Sequence, residues 1–236
     1  FFNPSTAVPA FFQLLLGGLN NGTVGIGNTL YGAAPLILTG LAVAFAFKTG
    51  LFNIGASGQM MMGAYVAIHI GVLWDLPGIL HWIVALIGGL LGGLFWGLVI
   101  GLLKATRNVN EVVTSIMMNY IAANLLIILI KSNIYNIDAA RSLGIETSAA
   151  LPSLGLFQGS SANIGFGIAV LIAILAHFII HKTTLGFELR ATGFSTDGAF
   201  YAGMNTKRNI ITSFSFAGAF AGLAGAVAYL VMGKTI

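Results

Sequence analysis

Long apolar stretches, rather than a helical or alternating period, organise this chain, and its charged residues stand at their ends. The gaps between charges match the roughly 20 apolar residues a helix needs to cross the hydrocarbon core of a bilayer. Six spans are predicted: Leu30 to Phe47, Gly55 to Trp74, Leu76 to Leu103, Val112 to Ile130, Ile164 to Ile180 and Ile210 to Met232. The third is long enough to tilt. Residues 1–29 carry no charge but are broken by Asn3, Pro4, Pro9, Asn20, Asn21 and several glycines. Their longest apolar run, Ala10 to Leu16, is too short to cross, so an external interfacial helix or docked loop is expected there. The sequon Asn21-Gly22-Thr23 is read as a chance match.

Alternating spans place Lys48, Lys104, Arg107, Lys182, Arg190, Lys207 and Arg208 on one side, and only Lys131, Arg141 and Lys234 on the other. The positive-inside rule puts the larger group in the cytoplasm and the N-terminal segment outside. Residues 131–160 then form an external loop, and residues 182–209 form the main cytoplasmic feature.

Composition agrees with lipid. Charged residues are 7% of the 236, where a soluble domain has about 25%, and hydrophobic residues are 57%. The mean hydropathy of +0.95 excludes a disordered chain. The fold class is an all-α, polytopic membrane protein forming a single transmembrane domain over residues 1–236. Ten Lys and Arg spread along the chain make no basic face for nucleic acid. The absence of Cys excludes disulfides, thiol catalysis and Cys-based metal sites. The opening Phe-Phe-Asn-Pro, without Met or a basic leader, reads as part of a longer reading frame.

Small residues recur every four positions in two spans: Gly89, Gly93, Gly97 and Gly101 in the third, and Ala217, Ala221 and Gly225 beside Gly218, Gly222 and Ala226 in the sixth. Such ladders let helix backbones approach in lipid, or let helices slide during gating. No span interior holds Asp, Glu, Lys or Arg, which argues against ion coupling and for an uncharged solute driven by energy from elsewhere.

Two motif matches fail on context. Ala228 to Thr235 fits a loose phosphate-binding loop, but its intervening residues are bulky and it ends a span instead of linking a strand to a helix. His177 and His181 have metal-pair spacing, yet Phe178 replaces the Glu of the zinc-protease motif and no further ligand is in view. The remaining polar candidates are mostly amides and hydroxyls: Asn53 and Gln59 around the start of the second span, and Asn110, Glu111, Thr114, Ser115, Asn119 and Asn124 along the fourth. They serve either an interhelical hydrogen-bond seam or a solute-contacting pathway. In the 182–209 loop, Ser195 or Thr196 can cap a short helix with Asp197 in its first turn and Gly203 at its end. That helix would present Phe200, Tyr201 and Met204 to a partner, or lie on lipid.

Three stretches carry a resemblance: Lys48 to Gln59, Asn110 to Ile121, and Gly186 to Gly193 continuing through Tyr201 to Asn205. In this order they resemble the permeases of ABC importers in the ribose, branched-chain amino acid and nucleoside branch, most of all the nucleoside and simple-sugar permeases. The resemblance implies a bacterial inner-membrane subunit with three partners: a second permease subunit, a cytoplasmic ATPase carrying ATP and magnesium, and an extracytoplasmic solute-binding protein. This chain itself would hold no cofactor. Glu188, Arg190, Gly193, Ser195, Asp197, Tyr201, Gly203 and Met204 would form the coupling region against the ATPase. Ser57 stands where the family usually has Glu, and family chains are about 100 residues longer. An ATP-driven nucleoside permease is therefore expected, with a simple-sugar permease as the alternative. An intramembrane enzyme using His177 and His181, and a non-transporting scaffold subunit, are the readings from other classes.

Overall fold

The structure is a computed structural model describing residues 4–20, 22–157 and 159–236. Asn3 and the sequon's Asn21 lie outside the described residues. The helices are α1 (Pro4–Asn20), α2 (Gly22–Phe47), α3 (Ala56–Leu73), α4 (Ile79–Arg107), α5 (Glu111–Asn133), α6 (Gly165–Lys182), α7 (Thr184–Phe194), α8 (Thr196–Tyr201) and α9 (Thr206–Tyr229). Among the described residues α2, α3, α4, α5, α6 and α9 are long and apolar enough to cross a membrane, matching the six predicted spans. The charges they carry stand in their terminal turns, where side chains reach water.

The first span differs most from expectation. It begins at Gly22, not Leu30, so residues 22–29 are helical and continuous with the first span. Their glycines and polar residues read as a break, but the tertiary structure uses them. Gly27 is buried against Ser160 and Phe157, Asn28 Oδ1 accepts from the Ser161 N–H at 3.1 Å, and the Thr29 hydroxyl donates to Gly25 O at 2.9 Å. Before it, α1 is a helix of 17 residues, about 26 Å long, with Pro9 inside.

The core is a three-helix stack of α3, α4 and α9. The two small-residue ladders meet each other: Gly93 lies against Gly218 and Gly222, Gly97 against Phe214 and Gly218, and Gly89 against Ala226 and Gly63. At Gly93 and Gly97 the approach is backbone on backbone and at Gly89 it is to the Ala226 methyl, so a Cβ at any of the three would collide. Larger side chains fill the space around this seam, with Phe45, Phe214, Leu38 and Ile100 fully buried. The ladders are thus packing surfaces in this conformation, as small residues are in lipid-embedded bundles.

The loop between α5 and α6 is more ordered than its composition indicates. Strands β1 (Tyr135–Asn136) and β2 (Arg141–Ser142) pair antiparallel, and further along Leu151 N–H donates to Leu230 O at 2.9 Å. His81, fully buried, fastens the same loop: its Nε2–H donates to Ile70 O at 3.1 Å and its Nδ1 accepts from the Ser148 hydroxyl at 2.7 Å.

Candidate coupling site and polar seam

At the cation-rich end the chain turns directly from α6 into α7. Thr183 caps α7 by accepting from the Gly186 N–H at 3.1 Å. Gly186 fits only because it has no Cβ, since its Cα lies against the carbonyls of Ile179 and Ile180. The sequence reading missed α7 as a helix. Its signal is a Thr183 cap followed by buried positions at Gly186, Leu189 and Thr192.

The short helix that follows is where it was expected. Ser195 caps α8, its Oγ accepting from the Gly198 N–H at 3.0 Å, and Asp197 sits in the first turn. Gly203, at φ +83°, ends it in the left-handed region that disfavours side chains. Phe194, Phe200 and Tyr201 are 91%, 66% and 87% exposed, and the Phe200 and Tyr201 rings stand 6.0 Å apart. Met204 is half-buried and offers less surface than expected.

This unit is held to the bundle at two places. Gly193 packs against the Lys48–Gly50 turn between α2 and α3, where a Cβ would fall 3.0 Å from Gly50 N. Asn209, buried in the first turns of α9, donates from Nδ2 to the Thr192 hydroxyl at 2.9 Å and to Glu188 O at 3.4 Å. Neither Asn209 nor Thr192 was singled out from sequence. Glu188 and Arg190 do not form an ion pair: Arg190 Nε–H donates to Gly186 O at 3.3 Å along its own helix. The ion pair among the described residues is instead Lys104 with Glu111, at 2.9 Å, joining the end of α4 to the start of α5. It lines a cavity of about 320 Å³ together with Thr49, Thr192, Gly193 and Thr196.

The eight amide, hydroxyl and acidic candidates separate into three places. Asn53, Gln59 and Asn119 join in one seam between the start of α3 and α5, and Ser115 is buried there with its hydroxyl unpartnered among the described residues. Asn53 Nδ2–H donates to Gln59 Oε1 at 3.0 Å, and Gln59 Nε2–H donates back to Asn53 Oδ1 at 3.2 Å. Asn119 stitches the irregular 53–58 backbone, accepting from the Gly58 N–H at 2.9 Å and donating to Ile54 O at 3.1 Å. Such backbone is tolerated at membrane depth where protein satisfies it. Thr114 is buried beside them, its hydroxyl donating to Asn110 O at 2.9 Å. Asn110 and Glu111 sit at the α5 terminus, where Asn110 Oδ1 caps the helix by accepting from Val112 and Val113 N–H. Asn124 lies elsewhere, on the outward α5 face with Val113, Met117, Tyr120 and Ile128, its Nδ2–H donating to Tyr120 O at 2.8 Å. Ser57 is exposed as well.

The other motif matches gain no geometry. Ala228 to Thr235 is the end of α9 and a turn, with Lys234 Nζ over the Tyr31 ring at 5.3 Å. His177 and His181 face each other with ring centroids 4.5 Å apart, and no cluster of three metal-ligating side chains exists among the described residues.

A bundle of six helices long and apolar enough to cross a membrane, with a small capped helix seated on one end, defines a polytopic all-α membrane protein. The chain belongs to the family described as branched-chain amino acid transport system / permease component, which it matches over residues 25–235. It is 43% identical over 224 residues to the guanosine ABC transporter permease protein NupP of Bacillus subtilis (strain 168), covering 94% of this chain and 64% of that protein. It is 37% identical over 235 residues to the nucleoside ABC transporter permease protein NupB of Lactococcus lactis subsp. cremoris (strain MG1363), covering 96% of this chain and 64% of the relative. The glucose ABC transporter permease protein TsgB13 of Haloferax volcanii is 32% identical over 211 residues, covering 85% of this chain and 56% of the relative. The chain thus spans 64% of the length of each of the two nucleoside-permease relatives. No solved structure matches it.

Proposed function

We propose that this chain is part of the membrane-spanning permease of an ATP-driven importer that moves a nucleoside-type solute across a bacterial plasma membrane. The observation that carries the reading is the α7–α8 unit. A capped helix with bare aromatics, pinned to α9 through Asn209 and to the α2–α3 turn through Gly193, suits a partner that pushes on it from the cytoplasm. Glu188, Arg190, Gly193, Ser195, Asp197, Tyr201, Gly203 and Met204 belong to that contact or support it. The partner is an ATPase subunit that binds ATP and magnesium, so hydrolysis happens on the other chain. The lack of span-interior charge supports a neutral solute and an external energy source. A second permease subunit completes the pathway, and a solute-binding protein delivers from outside.

The nucleoside assignment is supported by the names of the two relatives above 35% identity. A simple-sugar permease is the second reading, favoured by the likeness to TsgB13. Uptake of labelled guanosine by cells carrying the full importer tests the first. Uptake should require the ATPase and resist competition by ribose. Import that continues without the ATPase would sink the reading, and stronger competition by ribose than by unlabelled guanosine would move it to sugars. ATP turnover stimulated by solute in the reconstituted complex would exclude the scaffold reading. A reaction surviving replacement of both His177 and His181 would end the enzyme one.

A further inference from the structure

The hollow at the end of the bundle opposite α8 has among its lining residues one with an unused buried polar group. It lies between the loop that precedes α6 and the turn after α9, and holds about 390 Å³. Thr147, Ser153 and Ser161 line it together with Leu151 and Met232. Asn163 closes it. That residue is 4% exposed, and its Oδ1 accepts from the Gly165 N–H at 2.8 Å, which fixes the orientation of the amide. The Nδ2 donor is therefore the end left over, and it has no partner among the described residues. A buried donor left unmade costs about 1–3 kcal/mol, so such groups persist mainly where something else supplies the acceptor.

The walls are fixed before any ligand arrives. Ser153 and Asn163 form an antiparallel bridge, Leu154 N–H donates to Ala162 O at 3.0 Å, and Ile164 N–H donates to Pro152 O at 3.1 Å. The Leu151–Leu230 bond ties the same loop to the end of α9. No Asp, Glu, Lys, Arg or His lines the hollow among the described residues, so nothing there would balance a carboxylate, a phosphate or a zwitterion. Its volume lies in the small-molecule range of roughly 300–1,000 Å³. Hydroxyl-bearing and apolar residues in one lining, with one buried N–H donor, suit an uncharged molecule having hydroxyls, an apolar ring face and a ring acceptor.

We infer that this hollow is an outer subsite that holds the nucleoside before it enters the pathway, with Asn163 Nδ2 donating to a base carbonyl or ring nitrogen. The inference rests on the nucleoside reading above.

Two variants of the complete importer test it. Asn163→Asp keeps the oxygen that caps Gly165 and removes the donor; the helix N-terminus offsets part of the charge it buries, so the melting temperature of the variant complex is measured beside its affinity. Ala150→Phe fills the hollow from its half-buried rim. Binding of labelled guanosine is measured on the permease–ATPase complex in lipid nanodiscs without binding protein. The wild type should bind guanosine, leucine should not compete, and each variant should lose roughly tenfold in affinity. Unchanged affinity in both variants, with guanosine import intact, would overturn the subsite and leave the transport reading standing. A wild-type complex that neither binds nor imports guanosine would remove both. If solute affinity holds but stimulation of ATP turnover by the binding protein falls, the hollow receives a protein loop and the inference is wrong.

Discussion

The α3–α4–α9 stack and the outward helices α5 and α6 have similar apolar content but opposite surroundings. In α9, 72% of the spanning window is buried inside the protein, against 28% in α5 and 22% in α6. The stack is closed by backbone contact at glycines, so its geometry leaves no room for substitution. The outward helices keep large side chains such as Met117, Tyr120, Ile128, Leu171 and Ile174 uncovered. Hydropathy measures what a segment can tolerate, and both kinds tolerate lipid. Only the distribution of small residues distinguishes the helices that bury one another from those that face outward.

That comparison can be broken most directly at Gly93. A Gly93→Leu change drives a side chain into the backbone of α9 and should cost at least about 3 kcal/mol, or prevent folding. Thermal unfolding in detergent reads it, and a melt within a degree of wild type would refute the packing account. Asn119→Leu comes next: it strands the Gly58 N–H and Ile54 O, for about 1–3 kcal/mol, also read by melting.

At the cation-rich end, Gly203→Val forces a β-branched residue to φ +83°, a local cost of about 1–2 kcal/mol. It should abolish ATPase-dependent guanosine uptake while the bundle still inserts and survives limited proteolysis. Tyr201→Asp should do the same with under about 0.5 kcal/mol of lost stability, because the ring touches little of its own chain. The smallest effect is expected at Asn124. Asn124→Leu should leave the melting curve unchanged within about 0.5 kcal/mol, since the amide bonds only its own helix. Any fall in uptake for that variant would then mark the outward α5 face as part of the solute path.

Much of the architecture was legible because the bilayer imposes it. Charges at Lys48, Asp75, Lys131 and Lys182 delimit spans whatever else the chain does, since burying them in hydrocarbon is costly. The Ser195–Gly203 helix was legible because capping is local: an Oγ reaching an N–H three residues on, and a glycine where φ turns positive. The start of α2 was not legible. Gly22 to Thr29 resemble a break until the loop around residue 160 packs on them. Helix α7 was missed for a related reason, as its buried face exists only against α6 and α9.

The polar candidates divide in the same way. At i, i+4 spacing, Glu111, Ser115 and Asn119 share one face of α5. The fold sends Glu111 to Lys104 across the α4–α5 junction and Asn119 to Ile54 O just before α3 and the Gly58 N–H within it. Asn209 gave no signal beyond being a polar residue in the first turns of a helix. It became a link only because Thr192, 17 residues earlier, is brought to 2.9 Å from it.

By itself, then, the sequence determined the six spans, the side that carries the cations, and the short capped helix between the last two spans. Each follows from solvation or from hydrogen bonds a few residues long. The tertiary structure alone decided which small-residue ladders meet, which amides stitch and which face outward, and that Asn163 has a donor left over beside an uncharged hollow. Those depend on contacts between segments far apart in the chain, and no local preference encodes a partner that a residue meets only after folding.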